Sequence, residues 1–390
     1  MTLLILSILF FLLWFALVPA YPFWLRRWRL CPRPQGTTFS FQWPRVDVLV
    51  AVRNEIGLIR EKITNLKQLD YPEGSIRFWI VDGDSSDGTP RAALEAAGDD
   101  KRFVIMNLGW GNKVAQLNAA LERGSGKWVL ISDADAELGD ETLKKMIREA
   151  EADPDVFVVG TPVHPANSNV LDQTHWEIGD GLRLLESDRG FASIVTAPCY
   201  IFRRDLIDAF PAGVFADDVH MAFAAFAQGK HVRYASCQVI ERRCPKSFSN
   251  LLRHKRRKTH NYLVEIFRFL SLEHQMPTIA RRIFLFRAAQ ILLAPFLILG
   301  SILAFSMFVW TRGFGEEMLI ALGVALGFLF IAAWSGKRHL SVVSYVVTMT
   351  IVLLFTVVSY PFSKSSRTLS LWRLPDEAAA KQADSFDRSE

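Results

Sequence analysis

Cysteine is scarce in this chain, and the few present are not arranged to build anything. Cys31, Cys199, Cys237 and Cys244 form no CxxC pair and have no zinc-type histidine spacing around them, so free thiols in a reducing compartment are expected. Histidine is also uncommon; His164, His175 and His220 fit no zinc pattern and are expected to face solvent or lie in loops. Charge is missing altogether from four stretches, 3–20, 288–310, 318–334 and 340–362. A transporter would place ionisable groups inside such runs, so that function class is disfavoured. No basic segment precedes the first run, which argues for a retained helix over a cleavable signal peptide. The net charge of +5 comes with no nucleic-acid recognition motif. Its basic residues gather at 242–258 and beside the apolar runs, which points to an anionic membrane surface or a phosphate group and to no nucleic-acid partner.

What the chain does have is 50% hydrophobic and 22% charged residues, kept apart from one another. Each apolar run approaches the ~17–25 residues that a helix needs to cross a bilayer. Arg26, Arg27, Arg29 and Arg33 follow the first run, and Arg281, Arg282 and Arg287 precede the second. Basic flanks stay cytoplasmic, so the polar block between them is expected in the cytosol. The expected division is an N-terminal transmembrane helix (1–22), a linker (23–45), a cytosolic catalytic domain (46–245), a basic amphipathic interfacial segment (246–282), C-terminal transmembrane helices (283–362) and a polar tail (363–390). A multi-pass protein of a bacterial inner membrane fits this plan.

Within the polar block, β-branched apolar runs alternate with helix-like stretches. Residues 46–52 (VDVLVAV), 78–81 (FWIV), 103–106 (FVIM) and 128–131 (WVLI) read as strands, with helical patterns at 91–97 and 113–123. Such alternation predicts an α/β domain with a mostly parallel sheet, whose ligands bind at the carboxyl ends of the strands. Asp82, Asp84, Asp133 and Asp135 all fall at those ends. A lone Asp after a strand is usually a turn former. Two acidic clusters at neighbouring strand ends repel unless a cation or donor offsets them. Mg2+ or Mn2+ suits that demand, because both take carboxylate oxygens and complete their shell with substrate phosphates.

Taken in order, these segments resemble the family 2 glycosyltransferases, membrane-bound inverting enzymes with a GT-A nucleotide-sugar domain. The resemblance covers residues 46–262 and rests on VAVRNE (50–55), VDGDSSDGT (81–89), NKVAQLNAAL (112–121), SDADAEL (132–138), YIFRRDLI (200–207) and FADDVHMAFAAFAQGKHVRY (215–234). It implies that Asp82 reads the donor base in a pocket lined by Val52 and Glu55, and that Lys113 lies near the diphosphate. Asp133 and Asp135 would hold the sugar diphosphate through the metal. Asp218 matches the general base of the family's Thr-Glu-Asp segment, with Asp217 beside it on the acceptor side. An acceptor hydroxyl must lose its proton as it attacks the anomeric carbon, and a positioned carboxylate can take it. The plain alternative for Asp217 and Asp218 is an exposed acidic cap of the following helix. The resemblance also puts Glu186 and Ser187 on the acceptor side. Residues 188–198 read as a gating loop or a simple connection.

Many processive members of the family carry Gln-x-x-Arg-Trp after the base. Here LLRHKRRKTHN (251–261) puts His254, Arg257 and Lys258 at those places, so only the Arg matches. Without the Trp there is no aromatic platform for a growing glycan, which argues against processive synthesis. Two readings of the cluster stand. In one, Arg257 and Arg256 neutralise the diphosphate by charge-assisted hydrogen bonds, with His254 and Arg256 towards the acceptor. In the other, the stretch is the polar face of an interfacial helix on anionic headgroups, since Tyr262, Phe267, Phe269 and Leu270 follow. The expected protein is a metal-dependent inverting glycosyltransferase that carries a sugar from a nucleotide sugar, UDP-linked by preference, to a membrane-presented lipid or lipid-linked acceptor. A processive synthase exporting a β-linked glycan and a non-catalytic nucleotide sensor are the alternatives.

Overall fold

The computed structural model describes residues 1–32, 42–109, 112–166, 168, 170–245, 247–312 and 337–362. Its strands are β1 (Val46–Val52), β2 (Ile76–Asp82), β3 (Phe103–Asn107), β4 (Trp128–Ser132), β5 (Ala136–Leu138), β6 (Val156–Gly160), β7 (Val163–Pro165), β8 (Cys199–Arg203), β9 (His231–Tyr234) and β10 (Val239–Glu241). Among the described residues they form a seven-stranded sheet, ordered β3-β2-β1-β4-β8-β6-β9, and a small sheet, β5-β10-β7. In the large sheet only β8 runs against its neighbours. The expected run 46–52 matches β1 residue for residue, and the other three gain a residue or two at their ends.

The helices are α1 (Thr2–Leu17), α2 (Tyr21–Arg27), α3 (Ile59–Lys67), α4 (Thr89–Ala97), α5 (Lys113–Arg123), α6 (Thr142–Glu151), α7 (Val170–Ser187), α8 (Asp217–Ala227), α9 (Phe248–Leu270), α10 (Thr278–Leu292) and α11 (Ala294–Arg312), followed by a helix at Lys337–Ser359. Strand β1 shows why layers form. Val46, Val48, Val50 and Val52 pack in one core with Ile59 and Ile63 of α3, Ala92 of α4 and Ile147 of α6. Leu49 faces the opposite core, with Leu117 of α5 and Phe223 of α8. Burial on both faces is what makes parallel strands read as continuous apolar runs. Each fully buried side chain of this kind contributes about 1.5–3 kcal/mol.

Asp47 interrupts the apolar pattern of β1 and is buried. Its Oδ1 accepts from Trp79 Nε1 at 3.0 Å, and its Oδ2 accepts from the Gly126 amide at 2.7 Å and from Arg204 Nη2 at 2.7 Å. One carboxylate thus ties together β1, β2, the turn after α5 and the end of β8. Gly126 must be glycine for this closeness, since a Cβ there would stand 2.7 Å from the Asp47 backbone nitrogen.

The apolar ends depart from the expected plan. Among the described residues two helical stretches, Ala294–Thr311 and Tyr345–Phe362, are long and apolar enough to cross a membrane. The expected single span at 1–22 is instead α1 and α2, bent by 50°, and makes a third only if that pair counts as one. Pro22, in the first turn of α2, lacks the N–H that would continue α1. The run at 288–310 is also divided, between α10 and α11. The run at 318–334 and the tail at 363–390 lie outside the described residues. Helices α1 and α11 lie close. Ser7 and Ser301 each donate a hydroxyl to the other's carbonyl at 2.9 Å, and Gly300 leaves room for the Phe10 ring, the small-residue contact that membrane helices use.

In the segment expected to be interfacial, helix α9 turns Leu251, Leu263 and Ile266 into the protein, packing on α8 and on the Lys337–Ser359 helix. Phe248, Phe267 and Leu270 of the same helix stay exposed.

Replacing Asp47 by Ala leaves Arg204 and two N–H groups without their acceptor, and should lower stability by about 3 kcal/mol. Trp79→Phe removes one hydrogen bond and should cost about 1 kcal/mol. Thermal unfolding of the full chain in detergent should rank the two in that order.

Candidate active site

The strand register brings Val52 level with Asp82, and Asp82 level with Asn107, so β1 to β3 end on one edge. Here the loops after β1 and β2 are laced together. Asn54 Oδ1 accepts from the Ser86 amide at 3.0 Å, Ser85 Oγ from the Asn54 amide at 2.8 Å, and Thr89 Oγ1 from the Glu55 amide at 2.8 Å. Asn54 and Asp84 adopt left-handed backbone (φ 56° and 65°), which Asn and Asp tolerate better than other side chains. Asp82 is fully buried beneath this turn and accepts from the amide and hydroxyl of Ser85. Each oxygen keeps a lone pair for a further donor. Gln116 on α5 donates to the Val52 carbonyl at 2.8 Å and to the Val81 carbonyl at 2.7 Å, pinning α5 against the same edge.

That pin places Lys113 one turn earlier. Its Nζ lies 2.9 Å from Asp133 Oδ1 and 3.2 Å from Asp217 Oδ1. Tyr200 donates its hydroxyl to Asp217 Oδ2 at 2.8 Å. Asp217 is only 4% exposed, which rules out the solvent-exposed cap for that residue; the first turn of α8 still favours its charge. Burial opposes the Lys113 charge, but Asp133, Asp217 and Asp218 outweigh it and raise its basicity. Burial pushes Asp218 up to about 6, with Asp217 adding and Lys258 and Lys113 opposing.

Asp133 and Asp135 occupy the turn from β4 to β5, each half-buried. The Asp133 amide donates to the Pro198 carbonyl and the Arg242 amide to the Asp135 carbonyl. Burial and the Asp133 charge raise the Asp135 carboxyl, and no ion pair reaches it among the described residues. Two oxygen donors, one without a cation, fit a hard divalent ion.

The structure adds groups that no sequence pattern announced. Arg243 grips Glu55 with both guanidinium ends, at 2.8 and 2.6 Å. Burial pushes Glu241 on β10 up to about 7, with Lys258 opposing. Lys62 on α3 is buried, and burial brings its ammonium down to about 8. Tyr200 lay inside a quoted segment but was not singled out there. Long-range contacts brought all of these to the edge, so no local spacing marks them.

The basic segment lies along α9. Arg256 and Arg257 are exposed, and the Arg256 guanidinium lies 4.3 Å over the Phe355 ring. Burial, with Lys258, Lys255 and Arg257, pushes His254 down to about 3, so it is neutral. Lys258, at the place of the family's Trp, is the cation of α9 that acts on Asp218, and its ammonium sits 5.5 Å over Trp176. His175 and His220 are on α7 and α8, not in loops. His220 is buried against Glu265 at 2.8 Å, because the fold turns α8 inward. His164 on β7 is exposed.

Glu186 and Ser187 face the interior. Glu186 accepts from Tyr21 OH at 2.7 Å, Arg287 Nε at 2.7 Å and Ser193 Oγ at 2.7 Å, and Ser187 Oγ accepts from the Tyr234 amide. This joint binds α2, α7 and α10. Residues 191–198 are largely buried and form a packed connection under the Asp133 turn. Cys31, Asp153 and His231 converge within 4.8 Å. Arg233 Nη2 stands 3.0 Å from Cys31 Sγ and puts a positive charge where an ion would sit.

Residues 47–210 match the family model described as Glycosyl transferase family 2. The chain carries a family 2 glycosyltransferase domain. Over 119 residues the chain is 33% identical to a beta-monoglucosyldiacylglycerol synthase of Trichormus variabilis, covering 30% of this chain and 25% of that one. Over 226 residues it is 24% identical to an N-acetylglucosaminyltransferase of Rhizobium sp., covering 53% and 50%. The matched stretches thus span a quarter to a half of these relatives. In fold the chain is similar to a mannosyltransferase from Pyrobaculum calidifontis solved in complex with GDP-Man and Mn2+, with a TM-score of 0.74, 24% identity and coverage of 93% of this chain and 99% of that one. The architecture is GT-A-like.

Lys113→Met removes the cation between Asp133 and Asp217. Its cost should be about 2 kcal/mol at neutral pH, allowing for the partly exposed ammonium. Its carboxylate neighbours hold the Lys113 ammonium above the ordinary lysine pKa of about 10, so the cost should be fully present below that pH and fade as pH rises above it. Melting curves of both proteins from about pH 7 to about pH 11 test this.

Proposed function

We propose that this glycosyltransferase is a metal-dependent, inverting enzyme that transfers a sugar from a nucleotide sugar to a lipid or lipid-linked acceptor presented at a membrane. The observation that carries the reading is the Lys113 bridge. It joins the strand-end carboxylate Asp133 to the Asp217 and Asp218 pair, so donor and acceptor groups share one edge.

In this reading Asp82 meets the base of the donor, with Val52 and Glu55 as pocket walls, and Lys113 turns to the diphosphate. Asp133 and Asp135 hold Mg2+ or Mn2+, which when bound offsets the charge of the leaving diphosphate. Asp218 takes the proton of the acceptor hydroxyl as that oxygen attacks the anomeric carbon. A base near 6 is ionised at neutral pH yet still able to accept a proton. Attack opposite the leaving group inverts the anomeric centre, so an α-linked donor yields a β-linked product. Arg257, exposed on α9, remains free to swing towards the diphosphate, while Arg256 and His254 belong to the acceptor side.

Two apolar helices able to cross a membrane support a membrane-presented acceptor. The name of the Trichormus relative, a synthase acting to make a glucosyldiacylglycerol, supports a lipid. A UDP-sugar is the first donor to try. Lys258 in place of an aromatic platform favours single additions over a processive polymer.

Full-length protein in detergent with Mn2+, lipid extract and a panel of UDP- and GDP-sugars should release nucleoside diphosphate and yield a lipid carrying one added sugar. Release with none of the donors would refute the reading. Asp218→Asn should abolish transfer while leaving nucleotide binding nearly intact. In the wild type, turnover should fall as pH drops through about 6, because protonated Asp218 cannot act as base.

A further inference from the structure

We infer that Lys62 is a positioning residue for the metal-binding turn, a clamp that closes the loop carrying Asp133 and Asp135 from behind. The inference rests on the reading of those two carboxylates as metal ligands. Lys62 projects from α3 and is 2% exposed. Its Nζ stands 2.7 Å from Ser132 Oγ and 2.6 Å from the Ala136 carbonyl oxygen. Ser132 is the last residue of β4 and Ala136 the first of β5, so the ammonium ties both ends of the turn whose middle bears the two carboxylates.

The clamp extends further. Ser132 Oγ also lies 3.0 Å from the Pro198 carbonyl, which receives the Asp133 amide as well. Lys62, Ser132, Asp133 and the buried segment before β8 thereby form one hydrogen-bonded unit. No ion pair reaches Lys62 among the described residues, although a buried ammonium is normally matched by a carboxylate. An apolar side chain from α3 would pack at this place with less desolvation. What the ammonium supplies is a fixed point for the turn, together with positive charge behind two carboxylates that repel each other. Metal affinity depends on ligands being held in position by such neighbours. The clamp contributes by geometry: without it the turn relaxes, the two carboxylates part, and the ion loses one ligand.

The test uses the full chain in detergent, with Mn2+ binding followed by electron paramagnetic resonance in the presence of UDP or GDP. Lys62→Met should weaken Mn2+ at least ten-fold, while metal-free binding of the nucleoside diphosphate in EDTA changes little. In transfer assays the concentration of Mn2+ for half-maximal rate should rise, and saturating Mn2+ should restore most of kcat. Ser132→Ala, which keeps the lysine and removes one of its two acceptors, should move the same readouts in the same direction by a smaller factor. It keeps the inference testable if Lys62→Met does not fold. Unchanged or tighter Mn2+ binding in a folded variant would overturn the clamp. Wild-type protein that binds no Mn2+ with either nucleotide would overturn the metal-ligand reading itself.

Discussion

Lys113 touches two carboxylates that the fold brings together, and the working edge of the protein is organised around that contact. Asp133 comes from the turn after β4, and Asp217 from the first turn of α8. Like charges at this distance repel. A single ammonium between them offsets that repulsion, and it also links the side that would hold a diphosphate to the side that would deprotonate an acceptor. Asp218, one residue further on, is raised in basicity by burial first and by the Asp217 charge second.

The scaffold behind this contact is made of buried polar ties at the right depth. Gln116 fastens α5 to the carbonyls of Val52 and Val81, and Lys113 follows from its position on that helix. Asp47 locks β1, β2 and the end of β8 together, which keeps the strand ends level. A third tie, Glu186 with Tyr21, Arg287 and Ser193, joins the catalytic domain to α2 and α10.

Much of the donor half was readable from local sequence. Strands β1 to β4 announce themselves as apolar runs, and each hands its last polar residue to the edge, so Asp82, Asp133 and Asp135 could be named from position alone. The acceptor half was harder. Helix α9 looks amphipathic in sequence, yet its buried face carries Lys255 and Glu265, whose partners Asp172 and His220 lie far away in the chain. The same difficulty hid the half-buried contact of His175 with Tyr345 and the joint at Glu186. The charge count of 242–258 says that cations are present; it does not say that Lys258 lies over Trp176 while Arg256 lies over Phe355.

By itself, the sequence determined the alternating α/β plan, the apolar segments and the carboxylates at strand ends, because these follow from short-range periodicity and from where a buried strand must meet water. Only the tertiary structure decided which cations meet those carboxylates: Lys113 between Asp133 and Asp217, Arg243 on Glu55, and Lys62 behind the turn. Charge pairing acts across space over a few ångströms, and residues that close in space are separated here by up to 188 positions in the chain.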